Sequence, residues 1–203
     1  MGLTLGVGEL VIASWGTDAD SVARAVYPGL EPAEIGGRHR VSIAALRFTG
    51  GRLGVVPVAP FSQLNVRAYV RYEGRPAVYF LRSYVSLGGL AGAFFGAPLR
   101  AARIRMRRGR VDVPAGGFSL AYELGERADA GELGAHEVAL FEAAGLRAIR
   151  IERRGAEWRR ATTVGAARAD VLLALGFALE GGPDLAYAEG GSFAFDVPPQ
   201  RVR

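Results

Sequence analysis

The chain contains no lysine: all 25 basic residues among its 203 are arginine. It therefore has no lysine amine to form a Schiff base with a carbonyl substrate and none to reach the phosphates of a P-loop. Cysteine is absent as well, which removes disulfides, thiolate nucleophiles and cysteine-type zinc sites. Histidine is scarce. His39 and His136 are the only two, and they fall on different expected elements without the Glu-x-x-His or His-x-x-x-His spacing of a metal site. Each is assigned a surface or capping role, and no metal or cofactor is expected. There is no Gly-x-Ser-x-Gly nucleophile elbow, which weighs against a hydrolase. Gly6-Val7-Gly8 precedes a strand where a dinucleotide fingerprint would follow one. No apolar run reaches the ~18 residues of a membrane span, and Met1 to Ser14 lacks the basic leading region of a signal peptide. The expectation is a soluble, cytoplasmic protein.

What is present describes a folded chain. Hydrophobic residues make up 50% and charged residues 22% of the sequence, enough apolar surface to outweigh the entropy of ordering the chain. No long linker divides it, so one domain over residues 1–203 is expected. Arginine in place of lysine, alongside abundant alanine and glycine, has the composition of GC-rich coding. The net charge of +5 is too small and too dispersed to specify a nucleic-acid partner.

The most informative stretch runs from Pro60 to Arg100. Leu64, Val66, Ala68, Val70 and Tyr72 alternate with Asn65, Arg67, Tyr69 and Arg71, the period of a strand with one apolar and one polar face. Glu73-Gly74-Arg75-Pro76 supplies turn chemistry, and Ala77 to Ser86 returns as a second β-rich run, so the pattern predicts a hairpin. If that hairpin helps to close a barrel, its polar face lines a pocket. Leu87 to Gly96 carries four glycines and is expected as a short, closely packed helix. Upstream, Glu9 to Ser14 reads as a strand, Thr17 with Asp20 as a helix start, Arg38 to Thr49 as a central strand and Gly50-Gly51 as a turn. Downstream, Ala101 to Arg110, Phe118 to Glu123, Leu146 to Arg153 and Glu157 to Val164 alternate as strands, with Arg154-Gly155 joining the last two as a hairpin. Glu132 to Ala144 is expected as an amphipathic helix, Ala166 to Leu179 as another, and Pro183 to Tyr187 and Ser192 to Val197 as terminal strands. Many short strands with three or four helices predict an antiparallel α+β barrel or sandwich.

Three segments in order, Pro28-Gly29-Leu30-Glu31-Pro32, Asn65-Val66-Arg67-Ala68-Tyr69-Val70 and Phe95-Gly96-Ala97-Pro98, resemble the acetoacetate decarboxylase-like superfamily, most closely its uncharacterised bacterial YqjF-like branch. The resemblance implies a strongly curved, mainly antiparallel sheet or barrel around a central cavity, with short helices outside. In true acetoacetate decarboxylases a Gly-x-Pro-Lys-Lys segment supplies the Schiff-base lysine. Here the matching segment reads Gly96-Ala97-Pro98-Leu99-Arg100, so Leu99 stands at the nucleophile's position. The family's acidic residue falls near Gln63 or Asn65, both neutral. Decarboxylation through a lysine Schiff base is thereby excluded.

The candidate ligand-binding residues are Asn65, Arg67, Tyr69, Arg82, Arg100 and Gln63. Arg67 offers a bidentate partner for a ligand carboxylate and Asn65 a hydrogen bond to its other oxygen. A purely structural role for Arg67, paired with Glu73 or Glu123, is the competing reading. The expected partner is a small carboxylate or carbonyl compound, with room left for a homo-oligomer. Two alternatives stand beside this. One is a lyase acting on β-keto acids without lysine, with Arg100 stabilising charge. The other is an anion or nucleic-acid binder using the arginines of Arg103 to Arg110, although no aromatic residues interleave them for base stacking.

Overall fold

The computed structural model describes residues 2–86, 99–129, 131–134 and 136–202. β1 (Gly2–Gly16) leads through helix α1 (Ala19–Ala25) and β2 (Glu31–Pro32) to β3 (Arg40–Leu53), along whose end β4 (Val56–Val58) folds back. β5 (Phe61–Tyr72) and β6 (Arg75–Val85) form the long hairpin. β7 (Leu99–Ala101), β8 (Arg105–Arg107), β9 (Arg110–Val113) and β10 (Phe118–Arg127) follow. A helical turn, α2 (Gly131–Gly134), precedes β11 (Val138–Glu142), β12 (Leu146–Arg154), β13 (Glu157–Thr163) and β14 (Arg168–Ala169). After the turn α3 (Asp170–Leu173) come β15 (Glu180–Glu189), β16 (Ser192–Asp196) and β17 (Gln200–Arg201). None of the helices among the described residues is long and apolar enough to cross a membrane.

Seven strands close a barrel in the order β1, β3, β5, β6, β11, β12, β16 and back to β1. The long strand β1 serves two layers. Its first half pairs with β16 in the barrel and its second half with β15, from which β13, β10 and β9 continue as an outer sheet. The apolar core is correspondingly double. Val11, Val66, Leu64, Leu120 and Tyr122 belong to the layer between barrel wall and outer sheet, while Leu5, Ile12, Phe48, Phe141 and Phe193 fill the barrel.

The hairpin forms as its pattern requires. Glu73 and Gly74 both take positive φ, 51° and 75°, the conformation of a two-residue turn whose twist matches the flanking strands. The apolar face of β5 packs outward beneath the outer sheet, and the face carrying Asn65, Arg67 and Tyr69 turns into the barrel.

Four expectations are corrected. Glu132 to Ala144 is not a helix but the turn α2 followed by β11, a strand with Ala139, Leu140 and Phe141 all buried between two cores. A strand covered on both faces loses its alternation, and its continuous apolar run reads as helical. Gly50-Gly51 lies inside β3, where a Cβ on Gly51 would meet the Thr4 carbonyl oxygen at 2.0 Å; these glycines admit a close crossing of β1. Arg154-Gly155 is a crossover, since β12 pairs with β11 and β16 while β13 pairs with β10 and β15. Ala166 to Leu179 yields only β14 and the single turn α3. The helix at the chain's start is capped by Asp18, whose carboxylate accepts from the Ser21 N–H and hydroxyl. The helix expected over Leu87 to Gly96 lies outside the described residues.

Candidate functional site

Inside the barrel is a cavity of about 80 Å³. Most of its wall is apolar, including Phe48, Phe61, Phe141 and Phe193, and its polar groups are Gln63, Asn65, Arg67, Ser83 and Arg153. The sequence places them there by register. Asn65 and Arg67 are two residues apart on β5 and share a face, Ser83 on β6 lies directly opposite Asn65, and Leu99 on β7 lies beside Ser83. Leu99 is itself on the cavity wall.

Arg67 is 5% exposed. Its Nε donates to Ser42 Oγ at 3.0 Å and its Nη2 to Tyr69 Oη at 3.4 Å, with the guanidinium 5.7 Å from the Tyr69 ring centre. No carboxylate pairs with it among the described residues, so neither Glu73 nor Glu123 neutralises it. Burial lowers its pKa, with Tyr69 opposing, but an arginine so placed keeps its charge at neutral pH.

Arg153, at the end of β12, is the second cation. Burial, and after it the charge of Arg67, lower its pKa to about 10. Its Nη1 donates to the Gly134 carbonyl, its guanidinium lies 5.4 Å from the Phe193 ring centre, and its buried Nε has no hydrogen-bond partner among the described residues. Arg153 and Ile151 also line an open vestibule of about 1090 Å³ whose wall includes His136, Glu137, Arg150 and Trp158. Arg153 thus stands between vestibule and cavity.

His136 is 5% exposed, contrary to its expected surface or capping role. Its ring lies 5.0 Å from that of Tyr69. Burial, then the charges of Arg67 and Arg153, push its pKa down to about 4, against a hydrogen bond to the Pro76 backbone. It is neutral at pH 7.

Of the six residues proposed from sequence, Gln63, Asn65 and Arg67 meet at the cavity. Tyr69 is fully buried behind Arg67 and does not line it. Arg82 lies opposite Val66 because a bulge between Val66 and Arg67 shifts the register; it faces the outer layer. Arg100 pairs with Tyr84 and is exposed, one residue out of phase with Leu99. Arg153 was missed, although it shares the strand parity of Ile149 and Ile151, an arginine ending an apolar face. No group of His, Asp and Glu among the described residues could hold a metal ion. The arginines of β8 are exposed at Arg105 and Arg107, and Arg105 pairs with Asp112 at 3.4 Å.

Residues 6–187 match the DUF2071 family of uncharacterized conserved proteins. The chain belongs to that family. One relative, the uncharacterized protein YqjF of Bacillus subtilis strain 168, is 35% identical over 77 residues, 36% of this chain. The match spans only 31% of that relative's length. Among solved structures, this DUF2071 chain is similar to acetoacetate decarboxylase from Legionella pneumophila, with a TM-score of 0.67 at 12% identity, covering 100% of this chain and 87% of that one. It is similar also to an acetoacetate decarboxylase-like enzyme from Sphingomonas wittichii RW1, at 0.64 and 12%, covering 100% and 93%. The enduracididine biosynthesis enzyme MppR, complexed with pyruvate, matches at 0.63 and 14%, covering 95% and 87%. At these identities the likeness establishes the fold, which is that of the acetoacetate decarboxylase-like superfamily.

Proposed function

We propose that the protein binds a short-chain carboxylate in the barrel cavity, with the carboxylate on Arg67. The observation that carries this reading is a buried guanidinium on the cavity wall with no carboxylate partner among the described residues. A desolvated cation costs several kcal/mol unless an anion meets it, and a second cation, Arg153, compounds the cost. A carboxylate from solution relieves both. The cavity volume of about 80 Å³, at roughly 10 to 15 Å³ per water-sized position, suits an acid of about five to eight heavy atoms. The aromatic wall suits an apolar tail. MppR, of similar fold, carries pyruvate, a molecule of this size.

Lysine-based decarboxylation is outside this chain's chemistry, since it has no lysine and Leu99 occupies the wall where the resemblance puts the nucleophile. The lysine-free lyase reading rested on Arg100, which faces away from the cavity. Titration calorimetry with pyruvate and butyrate tests the proposal. Wild type binds, and Arg67→Met loses at least about 30-fold in affinity, the loss of a charge-assisted buried pair. Equal binding by Arg67→Met overturns it.

A further inference from the structure

Two guanidiniums line the barrel cavity, and no carboxylate among the described residues pairs with either. The one buried carboxylate among those residues, Glu9, is taken elsewhere: it accepts from the Tyr122 hydroxyl at 2.7 Å and meets Arg47 at 3.4 Å, in the layer beneath the outer sheet. Arg153 reaches from cavity to vestibule. Its guanidinium lies 5.4 Å from the Phe193 ring on the cavity wall and donates through Nη1 to the carbonyl of Gly134 on the vestibule wall. Its buried Nε has no acceptor among the described residues. The vestibule's own carboxylates do not fill that place. Glu132 accepts from the Gly36 N–H, Glu152 holds Arg154, and the field of Glu137 on Arg153 is weaker than the opposing field of Arg67. A buried donor without an acceptor is costly, the more so on a charged group. One carboxylate held on Arg67 eases the charge of both arginines but leaves this N–H unmet.

We infer that the ligand is a short dicarboxylate, with one carboxylate on Arg67 inside the barrel and the other on Arg153 Nε where the cavity meets the vestibule. The inference rests on carboxylate binding at Arg67 and names the class of acid that also satisfies the second cation. Two negative charges then answer two positive ones, and the methylenes between them lie along the aromatic wall. Succinate, with about eight non-hydrogen atoms, is within the size the cavity admits. Arg153 is the specificity-determining residue: a dicarboxylate pairs it, and a monocarboxylate does not.

The test is a calorimetric comparison of succinate with succinamate, which has the same size and shape but an amide in place of one carboxylate, and with butyrate. Wild type favours succinate over succinamate by at least about tenfold, the difference between a hydrogen bond to a charged partner and one to a neutral partner. In Arg153→Met the two affinities converge. Arg153→Lys keeps a positive charge at that place and keeps part of the preference, a result that a merely structural arginine would not give. Arg67→Met weakens all three acids. The comparison within wild type needs no variant, so it decides the matter even where Arg153→Met fails to fold. Equal affinity of wild type for succinate and succinamate, or a preference that survives intact in Arg153→Met, overturns the inference while Arg67-dependent binding of the monocarboxylates leaves the Arg67 reading in place. If wild type binds none of the three acids, it is the underlying reading that fails.

Discussion

Replacing Arg67 by methionine separates a functional arginine from a structural one, because the two predict opposite changes in the stability of the unliganded protein. The substitution keeps much of the side chain's volume and removes the charge. It forfeits the hydrogen bond to Ser42 at 3.0 Å, a long one to Tyr69 at 3.4 Å and the contact with the Tyr69 ring, together about 4 kcal/mol. Against this, it abolishes the burial of an unpaired cation, an effective cost of several kcal/mol, and relieves its repulsion with Arg153. The two sides nearly cancel. Arg67→Met is expected to fall within about 1 kcal/mol of wild type, or to be more stable, in urea denaturation without ligand. An arginine neutralised by a buried carboxylate would instead cost about 3–5 kcal/mol when removed. Adding an acid at about 100 times its wild-type dissociation constant then stabilises wild type by about 2.7 kcal/mol and the variant, which binds at least about 30-fold more weakly, by less than about 1 kcal/mol. A loss of 3 kcal/mol or more in the unliganded variant (about the lower limit for a broken buried pair) would refute the reasoning.

Further expectations follow from the same geometry. His136 has a folded pKa of about 4 against an ordinary 6.5; the unfolded chain binds the proton first as pH falls, so stability is fully present above pH 6.5 and declines towards pH 4, by about 3 kcal/mol in all. Denaturation midpoints across that range should follow this slope in wild type and be flatter in His136→Gln. Leu99→Lys places an amine on the apolar cavity wall near Arg67, where its pKa is depressed. In a chain with no other lysine, borohydride reduction with pyruvate should yield a side-chain adduct at position 99, told apart from any α-amine product by peptide mass spectrometry, and its absence despite pyruvate binding would contradict the placement of that residue. Gly51→Ala drives a methyl into the Thr4 carbonyl at 2.0 Å and should destabilise by about 3 kcal/mol or more, whereas Gly182→Ala, with nothing within 4 Å, should be tolerated; equal denaturation midpoints would contradict the β1–β3 crossing.

The sequence discloses the hairpin and half of the site for one reason: β5 has chemically different faces. Leu64, Val66 and Ala68 pack beneath the outer sheet and Asn65 and Arg67 enter the barrel, so the period of two carries through to the cavity. β11 hides its identity because both of its faces are covered, leaving an apolar run with no period to read. Arg82 is a candidate through the predicted hairpin and Arg100 through the segment matching the family's lysine motif, and each is off the cavity for a matter of phase. A bulge at Val66–Arg67 rotates Arg82 outward, and Arg100 is one residue past Leu99. Arg153 and His136 come from a distant part of the chain, and only the closure of β12 and β11 onto β6 and β16 brings them beside Arg67. Barrel closure, which no local pattern encodes, decides which charges share the interior.

The most direct test of the account is a calorimetric titration of pyruvate into wild type and Arg67→Met at neutral pH. A saturable, one-site isotherm in wild type that is weakened at least about 30-fold in Arg67→Met is the predicted result. An absence of binding in wild type, or an isotherm indifferent to Arg67, would contradict a carboxylate site in the barrel.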